Sequence, residues 1–208
     1  MKHLIILILA IVLNINAFAQ TFECGFGLGE GPINHNEKRT AIEMSMHAGV
    51  KRDYSFSFGG YYTFFLTNSK EDTRFEDFFD DYKFRYRGIY AGFYVEKCVF
   101  QRAFFSVNIG TKLGFGGINY GNDSENYDED DEYYENNATY DKLDQSFVMA
   151  LEPYISADFA ISDDLSLSAV TEYRTLNCMH LNYNNCNIAS GSSLNGCTYF
   201  LKLTVYFD

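Results

Sequence analysis

The closing stretch CTYFLKLTVYFD, residues 197–208, alternates without a break. Tyr199, Leu201, Leu203, Val205 and Phe207 fall on one side. Thr198, Lys202, Thr204 and Asp208 fall on the other, with Phe200 and Tyr206. A period of two is the spacing of a β-strand whose faces meet different media. The same period recurs in seven earlier segments, at 22–30, 40–50, 54–66, 83–97, 103–120, 146–161 and 165–177. Eight such segments in 208 residues constrain the chain to a single all-β domain, and 20 Phe, 17 Tyr and 16 Gly against two Pro agree.

The connections alternate in length. Those after the second, fourth and sixth segments are short (KRD, CVFQR and SDD), and those after the first, third, fifth and seventh are long and polar. An up-and-down meander with its two ends in different environments gives that alternation. An even strand number then puts both termini on the short-turn side.

Ahead of the first segment, MKHLIILILAIVLNINAFAQ has a basic start at Lys2, an apolar run from Leu4 to Leu13, and Ala17-Phe18-Ala19 before Gln20. This reads as a secretory signal peptide over 1–19, with the barrel domain over 20–208. Its apolar core is about ten residues, too short for a membrane helix of roughly 20. The residue directly after the cleavage point is Gln20 and not cysteine, which argues against a lipid anchor. A formal charge of −12 excludes the basic footprint of a nucleic-acid binder. Of five cysteines, Cys178, Cys186 and Cys197 lie close together; one bridge among them suits an exported chain, but the sequence does not choose the pair.

Sorting the faces gives two populations. One is apolar, with Phe22, Phe26, Met44, Met46, Phe58, Ile89, Phe93, Ile109, Leu113, Met149, Leu151, Ile155 and Leu167 among its members. The other holds Glu23, Glu43, His47, Glu96, Lys112, Glu152, Asp158, Glu172, Arg174 and Lys202, together with many glycines. Every charge assignable to membrane depth falls on this second face. The alternation alone also allows a soluble, lipocalin-like binding barrel. Three features favour lipid outside. The glycines sit with the charges, as a narrow eight-stranded bore requires. Aromatics gather at both ends of the apolar face: Phe22, Tyr54, Phe105, Phe159 and Phe207 near the short turns, and Phe64, Phe115, Phe147, Tyr173 and Tyr199 near the long loops. The tryptophan usual in the first strand of the soluble barrels is missing.

On these residues the chain resembles the small outer-membrane β-barrel proteins of the OmpX/OmpA transmembrane-domain type. The resemblance covers 20–208 and rests on strand number, loop asymmetry and the closing YFLKLTVYF, which is similar to the aromatic-ended signal read by the barrel-assembly machinery. Asp208 departs from it, since the family often ends on the aromatic. It implies an eight-stranded antiparallel up-and-down transmembrane β-barrel in a Gram-negative outer membrane, monomeric, in contact with lipid and lipopolysaccharide, with no cofactor. Pro153 is the main objection: a closed barrel has no edge for a missing N–H, so a bulge near Glu152–Pro153 or one unpaired carbonyl is expected.

The inward charges admit a selective pore or a packed polar plug, and the bulk of Tyr61, Phe65, Tyr90, Tyr94, Tyr154 and Phe200 on the same face favours the plug. Glu43-x-Ser45-x-His47 could suggest a lipid-modifying hydrolase, but same-face neighbours are about 7 Å apart along a strand and these face the lumen. No catalytic or metal residue is assigned. His35 and His180 read as surface histidines. Two acidic loops, at 68–82 and 121–142, hold 15 of the 28 acids and match no calcium-loop spacing, so they read as solvated. Arg85 and Arg87 lie on the outer face at the long-loop end, near Lys83 and the height of Lys38 and Arg39. They suit lipopolysaccharide phosphates, or a strand that simply outgrows the bilayer. The favoured role is non-enzymatic, structural or in surface interaction, with a narrow channel and a lipid-modifying enzyme as alternatives.

Overall fold

The computed structural model describes residues 20–33, 39–52, 55–71, 83–125, 138–178, 181–183, 186–189 and 195–207. Eight long strands make the wall: β1 (Gln20–Ile33), β2 (Arg39–Arg52), β3 (Phe56–Thr67), β4 (Lys83–Arg102), β5 (Phe105–Glu125), β6 (Ala138–Ser162), β7 (Leu165–Cys178) and β8 (Gly196–Phe207). Each pairs antiparallel with the next, and β8 returns to β1, so the sheet closes into an up-and-down barrel. Closure leaves no edge on the barrel proper. Two residues, Lys70–Glu71, pair with the outer end of β4, and Leu181–Tyr183 pairs with Cys186–Ala189 beyond β7.

The register fixes the stagger. Stepping across paired neighbours from Gln20 through Arg52, Phe56, Lys97, Ile109, Ile155, Thr171 and Tyr199 returns to β1 at Glu30, ten residues along. With eight strands, that stagger tilts them about 40° from the axis. Phe22, Phe26, Ile42, Phe93, Leu151, Leu201 and Phe207 are among the exposed large apolar side chains, while the alternate residues turn inward and are buried or half-buried. The bore is narrow enough to need glycine. A Cβ at Gly110 would strike the Tyr154 ring, and one at Gly88 would strike Phe65.

Several expectations change in detail. CVFQR is not a connection: β4 runs on to Arg102 with an irregularity between Cys98 and Phe100, and the turn is Ala103–Phe104, with Ala103 at φ 47°. No bulge marks Pro153. The ladder to β7 omits Glu152 and Pro153 while keeping one register on both sides, so the missing N–H falls in a gap in that ladder. The acidic stretch after β5 is partly strand, because β5 and β6 stay paired out to Glu125 and Ala138. Charges also occur on the outer face within the paired region, since Glu30 and Lys97 are exposed there. Arg39 does not accompany Arg85 and Arg87; it turns inward and is 1% exposed. Cys197 is a free thiol, as are Cys24 and Cys98. Tyr54, His35, His180, the loop tips, residues 1–19, and the side chains of Cys178 and Cys186 lie outside the described residues.

Candidate functional site

The lumen is where charged side chains converge, and it is layered along the barrel axis. Nearest the long loops, Phe65, Phe84, Tyr86, Ile118, Tyr120, Val148 and Leu176 are each 1% exposed or less. Phe84 stacks on Tyr120 at 5.4 Å, and Tyr86 meets the same ring at 4.7 Å. Arg39 closes this layer. Its guanidinium lies 5.4 Å from the Tyr86 ring and donates to the Phe84 carbonyl at 2.5 Å.

Beneath the rings sits an ionic layer. Glu43 from β2, Glu152 from β6 and Glu172 from β7 bring carboxylate oxygens within 4.8 Å of one another. Arg174 donates to Glu43 and to the Thr198 hydroxyl (2.5 Å), lies 3.6 Å from Glu152, and packs 5.1 Å over the Phe65 ring. Tyr90 donates its one hydroxyl hydrogen to Glu152, with Glu43 a second, longer acceptor at 3.5 Å. Lys112 pairs with Glu172 at 2.5 Å, and its ammonium is ringed by Phe200, Tyr61 and Tyr154 at 5.3, 5.5 and 5.6 Å. Three acids thus face two bases away from bulk water, where charges must be paired. Three carboxylates suit a hard cation by ligand type. Here, however, Arg174 and Lys112 already hold oxygens of the trio, so the arrangement serves as internal ion pairing.

The layer nearest the short turns is polar and wetter. Glu23 accepts from Tyr94 (2.6 Å) and Ser57 (3.4 Å), and Asp158 accepts from Asn108 (2.6 Å). Glu96, Lys202 and His47 are half-buried around the same bore. Between this layer and the ionic one lies a cavity of about 30 Å³, lined in part by Ser45, His47, Tyr61, Lys112, Phe200 and Lys202. That is room for one or two waters and too little for an organic ligand.

All ten inward polar residues singled out from sequence therefore face the bore, in two groups. Glu43, Glu152, Glu172, Arg174 and Lys112 meet directly, whereas Glu23, Glu96, Asp158, Lys202 and His47 line the bore nearer the short turns. Glu43, Ser45 and His47 share a face but not a relay. Glu43 is engaged by Arg174 and Tyr90, His47 packs edge-on to Tyr94 at 5.6 Å, and no hydrogen bond joins the three. Tyr90, Thr198 and Arg39 were not singled out for these roles. Inward parity with Glu43 could have flagged Arg39. Arg85 and Arg87 are half-buried, on the same face as exposed Ile89 and beyond it toward the long loops.

No protein-family model matches the chain, and no curated protein matches it either. Among solved structures, Neisserial surface protein A is similar over 90% of this chain and 97% of its own, with a TM-score of 0.55 and 11% identity. The attachment invasion locus protein Ail of Yersinia pestis (TM-score 0.48, 8% identity) and the N-terminal β-barrel domain of Pseudomonas aeruginosa OprF (0.47, 6%) match over the same shares. At these identities the likeness is one of fold: an eight-stranded antiparallel barrel of the kind found in small outer-membrane proteins.

Proposed function

We propose that the chain is an integral outer-membrane barrel with a closed lumen, acting through its surface and not through transport or catalysis. The observation carrying this reading is the contrast across one wall: apolar side chains face outward around the barrel, while the bore is filled by rings and paired charges. An outer surface of that kind is stable against acyl chains and unstable against water. A bore capped by rings and crossed by paired charges, whose cavity between the two layers has room for one or two waters, favours neither ion flow nor substrate entry.

The surface role centres on β5 and β6. The last β6–β7 pair is Val148 with Cys178, yet β5 and β6 remain paired to Glu125 and Ala138. β4 keeps pairing with β5 only to Asn122, so beyond it residues 123–125 and 138–140 rise as a two-stranded ribbon, with Asp123 and Glu125 in its sequence and Asp141 at its base. A negatively charged ribbon favours a cationic partner in the medium. Both termini lie in the periplasm in this reading, the closing strand is read by the barrel-assembly machinery, and the protein is monomeric. Arg85 and Arg87 contact lipopolysaccharide phosphates, for which the guanidinium fork is suited.

Reconstitution in a planar bilayer tests the lumen: the expected result is no discrete conductance, and steady single-channel steps would overturn it. Replacing 122–141 by a short Gly-Ser turn should abolish binding of polycationic peptides to whole cells while leaving heat-modifiable gel mobility intact. Undiminished binding would remove the ribbon from the account. R85Q/R87Q should raise outer-membrane permeability to detergent, and an unchanged barrier would exclude the lipopolysaccharide contact. Loss of lipid A acyl chains on expression would instead reveal an enzyme.

A further inference from the structure

The outer face of β4 reads Lys83, Arg85, Arg87, Ile89, Ala91, Phe93, Val95, Lys97 at successive alternate positions, so an apolar centre is bracketed by cations at both ends. Arg87 and Lys97 are ten residues apart. At about 3.3 Å per residue and about 40° of tilt, that is about 25 Å along the axis, the height of an outer-membrane apolar band. The upper cations belong to the lipopolysaccharide reading. The lower ones belong to nothing described so far.

At the short-turn rim the register sets Arg52, Phe56 and Lys97 side by side on the outer surface of β2, β3 and β4. The irregularity after Cys98 then leaves Val99 and Phe100 exposed together, followed by Arg102 and the turn residue Phe104. Lys97 and Arg102 have no carboxylate partner among the described residues. The opposite arc of the same rim differs. Its outer side chains are Phe22, Phe207 and Ile161, and its turn is Asp163–Asp164. Cations are thus gathered on one side of the barrel, at the level where the apolar surface ends, with aromatic rings between them. Long basic side chains there lay their stems on apolar surface and lift their charge toward headgroups.

We propose that Arg52, Lys97 and Arg102, set among Phe56, Phe100 and Phe104, form a docking arc for anionic phospholipid headgroups in the leaflet at the short-turn end. The proposal rests on the membrane reading above. Charge complementarity selects the occupant, because a zwitterionic headgroup offers these cations no net attraction, whereas one basic residue near the surface favours an anionic lipid about fivefold.

The test reconstitutes the full-length protein in nanodiscs of equal parts phosphatidylglycerol and phosphatidylcholine. Native mass spectrometry then counts the lipids retained on release. The wild type should keep phosphatidylglycerol over phosphatidylcholine by well over fivefold, K97Q/R102Q should lower that preference at least about fivefold, and the charge-preserving K97R/R102K should hold the wild-type ratio. An unselective wild type, a preference unchanged in K97Q/R102Q, or one lost in K97R/R102K would each overturn the proposal. Heat-modifiable mobility of every sample reports insertion separately. A wild type that never enters the bilayer sinks the membrane reading itself, whereas an inserted barrel without lipid preference sinks only the arc.

Discussion

The two halves of the lumen solve the same problem in opposite ways. Toward the long loops, Glu43, Glu152 and Arg174 are 1% exposed or less and lie under a lid of rings that includes Phe65, Tyr86 and Tyr120. Toward the short turns, His47, Glu96 and Lys202 are half-buried, and polar contacts are shared with small hydroxyl and amide groups. A dry charge needs a fixed partner, whereas a hydrated charge tolerates a loose one. The upper half should therefore behave as a folding core, and the lower half as a wet vestibule closed above.

Removing Arg174 should break that contrast most severely. R174L leaves Glu43 and Glu152 buried without their base, an expected loss of about 3–5 kcal/mol by urea unfolding of the barrel in vesicles. K202Q, in the wetter half, should cost less than about 1 kcal/mol. Equal losses would mean that the halves share one dielectric environment. The acid side sharpens the same point. E43Q/R174L should be less destabilised than the two single changes added together, by about 1–3 kcal/mol, because neutralising both partners strands less charge. Strict additivity would deny that the pair is coupled.

How much of this was legible follows from parity and shear. Parity alone turned Glu43, Lys112, Glu152, Glu172 and Arg174 to one side, since every second residue of a strand must share a face. It could not say which acid meets which base. Glu43 and Arg174 are 131 positions apart and meet only because the ten-residue stagger lifts β7 to the height of β2. Stagger is a property of the closed sheet, so no local pattern encodes it. The outer ends of β5 and β6 were missed for a different reason: a charged, two-sided polar ribbon has no apolar period to read. The turn at Ala103 lacks the glycine or asparagine that usually marks a positive φ, so CVFQR looked like the connection when it is strand.

Packing offers a milder contrast within the bore. Gly88 lies beneath Phe65, where any Cβ would overlap the ring, whereas a Cβ at Gly27 would meet its nearest neighbour, the Leu201 carbonyl, at an ordinary 3.5 Å. Gly88→Ala should cost about 1–3 kcal/mol by displacing Phe65 from its contact with the Arg174 guanidinium. Gly27→Ala should be within about 0.5 kcal/mol of wild type. If Gly88→Ala proves equally mild, the lid is softer than the rings imply.

The smallest effect is expected at the boundary between the halves. The Tyr61 ring is 4% exposed and helps surround the Lys112 ammonium, yet its hydroxyl has no hydrogen-bond partner among the described residues. Tyr61→Phe keeps the ring over Lys112 and deletes only that hydroxyl, so stability should change by less than about 0.5 kcal/mol. Tyr90→Phe is chemically the same substitution one layer higher. It removes the one donor that Glu152 accepts and Glu43 shares, and should cost about 1.5–3 kcal/mol, the range for hydrogen bonds to charged groups. A loss at Tyr61 as large as that at Tyr90 would place the dry boundary one layer lower, with the Tyr61 hydroxyl held by water trapped in the cavity beside Ser45 and His47.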